Sequence, residues 1–135
     1  MQDPDKLRVT HEARSLAVNV YRATAAFPNE ERYGIAAQLR RAAVGIGSNI
    51  SEGCGRSGNR ELLHDLYSAH ASTNEVAFQI TVAQALDLGS RDQLVALLEQ
   101  TRQVGSMLNR LTVRVATKLT RKARDRRPPR RCAVE

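Results

Sequence analysis

Arginine is the chain's most abundant reactive-looking resource, and its distribution is lopsided. Residues 1–113 hold 12 Lys/Arg and 12 Asp/Glu and sum to zero. Residues 114–135 hold nine cations against Asp125 and Glu135, which accounts for the whole net charge of +7. A guanidinium matches phosphate geometry in a bidentate way and releases counterions when it neutralises a nucleic-acid backbone. Arg114, Lys118, Arg121, Lys122, Arg124, Arg126 and Arg127, with Arg130 and Arg131 beyond them, are therefore candidate phosphate contacts. Arg40 and Arg41, and the pair Arg56 and Arg60 around a glycine-rich stretch, join the same candidate set. Such contacts carry no base-reading pattern, and with aromatics at 4% and no Trp the chain is poorly equipped to stack on single-stranded bases. For the tail, phosphate binding and a solvated, solubilising face stand level. For Arg40 and Arg41 the pattern favours a solvated face or an intersubunit ion pair.

Other chemistries find little support. His64 and His70 are six apart in a helical run, so they fall on different faces, and His11 belongs to another run. H-E-x-x-H does not occur, and a single E-x-x-H, Glu61-Leu62-Leu63-His64, falls short of the two that a di-iron bundle requires. Cys54 lies beside Gly55 and Arg56, where a thiol could be activated, but it has no placed His or Asp partner in the sequence. Ser48, Ser51 and Ser57 lack a nucleophile-elbow context. The run from Gly53 to Gly58 lacks the Lys-Ser/Thr of a P-loop and follows a helix rather than a strand. The expectation is a non-enzymatic protein without metal or cofactor.

What positions these side chains is a fourfold repetition of one period. Val9, Ala13, Leu16, Val20, Ala23 and Phe27 step by four and three, as do Ala36, Leu39, Ala43, Ile46 and Ile50. A third run is Leu62, Leu66, Ala69, Thr73, Val76, Ile80 and Ala83, and a fourth runs from Leu94 through Leu97, Thr101, Val104, Leu108, Leu111 and Val115 to Leu119. Phe27-Pro28-Asn29 breaks the first, with Asn29 a natural N-cap for the second. Gly53 and Gly55 end the second, and Asp87-Leu88-Gly89-Ser90 ends the third, Ser90 and Gln93 forming a capping box. Gly45 and Gly47 sit inside the second run, each costing about 1 kcal/mol relative to Ala, which points to close approach of a neighbouring helix.

Short connections make successive helices antiparallel. The fold class is all-α: an up-and-down four-helix bundle over residues 1–122, its first helix shorter than the other three, with a disordered Arg/Pro-rich tail over 123–135. The third run carries a second stripe, Tyr67, Ala71, Asn74, Phe78, Val82 and Ala85, opposite its seam. A monomer has no use for it, so Tyr67, Ala71, Asn74, Phe78 and Val82 are candidate oligomer-interface residues, the alternative being a wide core stripe. No apolar run reaches the roughly 18 residues needed to span a bilayer, and the polar start is no secretory signal. Two cysteines suggest no disulfide framework, so a reduced cytoplasmic setting is expected.

The stretch Phe27-Pro28-x-x-Glu31-x-Tyr33-Gly34-Ile35-x-x-Gln38-Leu39-Arg40-Arg41-Ala42-Ala43-Val44, then Ile46-x-x-Asn49-Ile50-x-Glu52-Gly53, and later Ala69-x-x-Ser72-x-x-Glu75, resembles the four-helix-bundle proteins encoded in intervening sequences of bacterial 23S ribosomal RNA genes. The likeness spans roughly residues 7–120. It departs at Gly45, where the family usually has Ser, and at Ala71-Ser72, where it has Gly-Ser. The resemblance implies a homopentamer without known catalysis, and kinship with the accessory protein of diversity-generating retroelements, a basic pentamer that binds nucleic acid and a reverse transcriptase. Its polar positions here are Tyr33, Gln38, Arg40, Arg41, Asn49, Glu52 and Glu75. They suggest that Arg40 or Arg41 pairs with Glu52 or Glu75, within or between subunits. The expected function is an oligomeric helical scaffold with sequence-independent affinity for RNA or DNA; the alternative is a protein-interaction adaptor without nucleic-acid binding.

Overall fold

A computed structural model describes residues 3–56 and 58–129. Four helices run α1 (Pro4–Thr24), α2 (Ile35–Gly55), α3 (Asn59–Ala85) and α4 (Arg91–Asp125), with a single 3-10 turn at Asn29–Glu31. Contacts join α1 to α2, α2 to α3, α3 to α4 and α1 to α4, with no diagonal pair among the described residues. The helices therefore stand at the corners of a square and alternate in direction, as the seams predict. No helix among the described residues is long and apolar enough to cross a membrane.

The seams are the core. Every apolar side chain of the four runs is buried except Leu119, which is half-buried. Thr73 and Thr101, polar members of the seams, are buried because each hydroxyl donates to the carbonyl four residues back, Ala69 O at 2.9 Å and Leu97 O at 2.7 Å. The close approach expected at the helical glycines is present. A Cβ at Gly45 would stand 3.4 Å from Ser72 Oγ, and one at Gly47 would stand 3.7 Å from Ala13 Cβ. Gly53 is tighter still, with 3.0 Å to both Asp65 Cβ and Leu62 Cδ1.

The helix ends differ from expectation in three places. First, α1 starts five residues before Val9, because Asp3 caps it by accepting from Asp5 N at 2.9 Å and Pro4 is preset for the first helical position. With 21 residues it matches α2 rather than being the shortest. Second, Asn29 does not cap α2. Asn29 to Glu31 form the 3-10 turn, and α2 begins only after Gly34, which offers no side-chain cap. Third, α4 continues past Lys122 to Asp125, so the first three residues assigned to a flexible tail are helical. Lys122 and Arg124 lie in the last turn, where cations complement the helix dipole. Arg130 and Arg131 lie outside the described residues.

The α3–α4 turn closes as a Schellman motif. Leu88 N–H bonds Ala83 O at 3.0 Å and Asp87 N–H bonds Gln84 O at 3.1 Å, with Asp87 at φ 52°. Ser90 Oγ then accepts from Gln93 N at 3.3 Å, supplying the N-cap of α4.

Candidate nucleic-acid interface

The Thr112–His70 contact, 3.2 Å from Oγ1 to Nε2, sets α3 against α4. Counting outward equally along the two antiparallel helices puts Arg60 level with Lys122. On its other side α4 meets the start of α1: Arg114 Nη2 lies 2.6 Å from Asp3 Oδ2, and its Nη1 bonds Asp5 Oδ2. Those carboxylates hold the Arg114 guanidinium still more firmly protonated, led by the hydrogen bond to Asp5. Lys118 and Arg121 follow Arg114 at helical spacing on the same side of α4, beyond the point where α1 begins. The side that is neutralised at Arg114 thus continues as a bare basic surface.

Lys118, Arg121, Lys122, Arg124, Arg126 and Arg127 are exposed and make no ion pair with the described residues. Asp125 is the one acid among them. Arg60 is exposed in the first turn of α3 at the same end of the bundle. Arg56 is there too but is occupied: its Nη2 donates to Glu52 Oε1 at 2.8 Å, and its Nε lies 3.0 Å from Asp65 Oδ2.

Arg40 and Arg41 are not part of this cluster. They sit near the start of α2, at the opposite end of the bundle. Arg40 is half-buried; its Nε donates to Thr24 Oγ1 at 2.8 Å, its Nη2 reaches Tyr21 O at 3.4 Å, and its guanidinium lies 4.6 Å over the Tyr21 ring. Arg41 is exposed. Within the chain neither pairs with Glu52 or Glu75. Glu52 holds Arg56, and Glu75 accepts from Gln79 at 3.3 Å. The pairing is not made inside one chain because Glu52 faces the turn to α3 at the far end of α2, while Arg40 packs back on α1.

The second α3 stripe is exposed: Tyr67 is 56% and Phe78 68% accessible, Ala71 and Asn74 between them are open, and Val82 is half-buried. It is therefore not a widened core stripe. Sequence reasoning missed a second apolar surface, a groove of about 730 Å³ between α1 and α2. Its walls include Val18, Tyr21 and Val44, apolar residues outside the seams, and that misplacement was the available signal.

Desolvation raises the Cys54 thiol above its ordinary value, with Lys6 pulling in the other direction, so the protonated form is favoured over a nucleophilic thiolate. His64 is exposed, whereas His70 is half-buried against α4. Among the described residues no three His, Cys, Asp or Glu side chains gather in a way that could hold a metal ion.

Comparison with known proteins gives one family and one fold. The profile of the 23S rRNA-intervening sequence protein family matches residues 5–110. Among solved structures, a protein of unknown function from the S23 ribosomal protein family of Bacteroides thetaiotaomicron VPI-5482 superposes with a TM-score of 0.71 at 18% identity, over 80% of this chain and 97% of that one. No curated protein matches the sequence.

Proposed function

Because the chain belongs to the 23S rRNA-intervening sequence protein family, we propose that it is a non-catalytic, oligomeric helical scaffold that binds nucleic acid, RNA foremost, through the α4 end of its bundle. The observation that carries this reading is the set of six cations from Lys118 to Arg127 without ion-pair partners among the described residues. Arg56 and Arg114, by contrast, are spent on carboxylates of the same chain. Here they are left to solvent at a helix end, which the dipole favours but folding does not require. Their chemistry is phosphate neutralisation. Affinity comes from released counterions and is independent of sequence.

The assembly part of the reading is supported by the exposed stripe through Tyr67 and Phe78, which the single chain leaves uncovered. Five copies and a polymerase such as a reverse transcriptase as protein partner are what the family resemblance implies, while cytoplasmic residence rests on the low cysteine count. An assembly would also multiply the α4 ends along one bound strand and raise avidity without new contacts.

The experiment is a salt titration of binding to a structureless RNA by the full chain and by a variant with Lys118, Arg121, Lys122 and Arg124 changed to Gln. The expected result is a much shallower dependence of log affinity on log salt in the variant. Equal affinity and equal slope would rule out this end of the bundle as the site. The adaptor reading is favoured by the same α3 stripe, and a clean monomer in light scattering with no measurable RNA affinity would select it.

A further inference from the structure

The fold leaves two apolar surfaces uncovered, and they are of opposite shape. One is the ridge on the outer side of α3, where Tyr67 and Phe78 project with the small Ala71 and the short Asn74 between them. The other is the groove between α1 and α2. Small side chains, Ala13, Ala17, Ala43 and Gly47, line its depth, while Val18 and Val44 stand partly exposed on its walls. We infer that the α3 ridge of one copy docks into the α1–α2 groove of the next, a head-to-tail contact that rests on the oligomer part of the proposed function.

Three features select a second copy as the occupant. The first is length. Tyr67 and Phe78 are eleven residues apart on α3, roughly 16 Å along the axis, and the groove-lining Thr10 and Tyr21 are eleven apart on α1. Two aromatic knobs thus fit a trough floored by alanine and glycine. The second is charge. Arg14 and Arg22 line the groove and make no ion pair with the described residues, while the exposed Glu75 flanks the ridge with only Gln79 as its partner. The third is direction. In a square bundle the groove faces out from the α1–α2 side and the ridge from the α3 corner. The two surfaces are separate, so one copy can engage two neighbours at once, the head-to-tail arrangement that builds rings or helical filaments.

A head-to-tail contact has a signature that a symmetric one lacks. Phe78→Glu destroys the ridge and keeps the groove; Val44→Glu destroys the groove and keeps the ridge. Both positions are exposed in the single chain, so both variants fold, which circular dichroism checks; Tyr67→Glu and Val18→Glu serve as a second pair should either lose helicity. Light scattering at matched salt and concentration is the readout. The expected result is an oligomeric unmodified chain, with self-association weakened roughly thirtyfold or more in each variant. An equimolar mixture of the two variants then gives a capped one-to-one pair, because a single intact ridge meets a single intact groove. An oligomeric unmodified chain with a fully oligomeric Val44→Glu variant overturns the docking but leaves assembly standing. Two monomeric variants whose mixture stays monomeric also overturn it. A monomeric unmodified chain overturns both the docking and the assembly on which it rests.

Discussion

The Nε of Arg56, one residue past the end of α2, lies 3.0 Å from Oδ2 of Asp65, a carboxylate whose side chain is only 6% exposed. The approach pairs the charges but does not align an N–H with that oxygen, which has no hydrogen-bond partner. Asp65 is therefore buried on the strength of one neighbouring cation across the α2–α3 turn. Arg56→Ala removes that cation and leaves the carboxylate desolvated. Because Arg56 is itself 42% exposed and water can enter, the expected loss of stability is small compared with that at sealed pairs. Adding Asp65→Asn to the Arg56→Ala variant recovers part of it. Urea unfolding of the two variants measures both. No loss in Arg56→Ala would show that the pair contributes nothing to the fold.

Gly53 and Gly55 occupy one short motif but predict opposite outcomes. A Cβ at Gly53 meets Asp65 Cβ and Leu62 Cδ1 at 3.0 Å, so Gly53→Ala forces α3 away and costs about 1–3 kcal/mol. At Gly55 nothing lies within 4 Å and φ is not positive, so Gly55→Ala is neutral or stabilises by up to about 1 kcal/mol. Thermal melts of the two variants with shifts of the same sign would refute the packing argument.

These two glycines also mark how far the sequence could be read. The seams of all four helices were legible because burial repeats with the helical period, and only Leu119 departs from them. Spacing also showed that Gly45 and Gly47 needed a close neighbour, though not that Gly53 is the tightest of the helical glycines. The start of α1 was legible in principle from Asp3-Pro4, whereas Asn29 misled because Tyr33 and Gly34 postpone α2 past the turn it begins. Tertiary partners were not legible. Arg114 finds Asp3 and Asp5 more than 100 positions away, and Arg40 finds Thr24 by crossing to another helix. The α1–α2 groove was hidden for the same reason, since it exists only once two helices are spaced by small side chains.

The two groups of candidate phosphate-binding arginines should separate cleanly on substitution. Arg40→Ala deprives the buried Thr24 hydroxyl of its donor and unstacks Tyr21, costing about 1–2 kcal/mol of stability. It leaves the salt dependence of RNA binding unchanged, and Arg40→Lys does not restore the stack and hydrogen bond together. Lys118→Gln and Arg121→Gln do the reverse. Each leaves the melting temperature in place and lowers the slope of log affinity against log salt by about 0.7, the value for one contact on a single strand. A reduced slope in Arg40→Ala with unchanged stability would reverse these assignments.

His70 gives the fold a pH dependence of definite sign. Desolvation lowers its pKa below the ordinary histidine value, only partly opposed by a backbone hydrogen bond involving Leu108. Thr112 Oγ1 lies 3.2 Å from His70 Nε2 and 2.7 Å from Leu108 O, tying the ring to α4. A base whose folded pKa is lower than its unfolded one binds more protons when unfolded. Its stabilising contribution is complete above the unfolded value, near 6.5, and falls away as pH drops towards the folded value. His70 is half-buried, so the effect is modest. The unmodified chain should therefore lose more stability between pH 7.5 and pH 5 than His70→Gln, in which the α3–α4 polar contact is retained without a titrating ring. Urea midpoints at the two pH values test this, and equal losses in both proteins would mean that the ring titrates in the fold as it does in the unfolded chain.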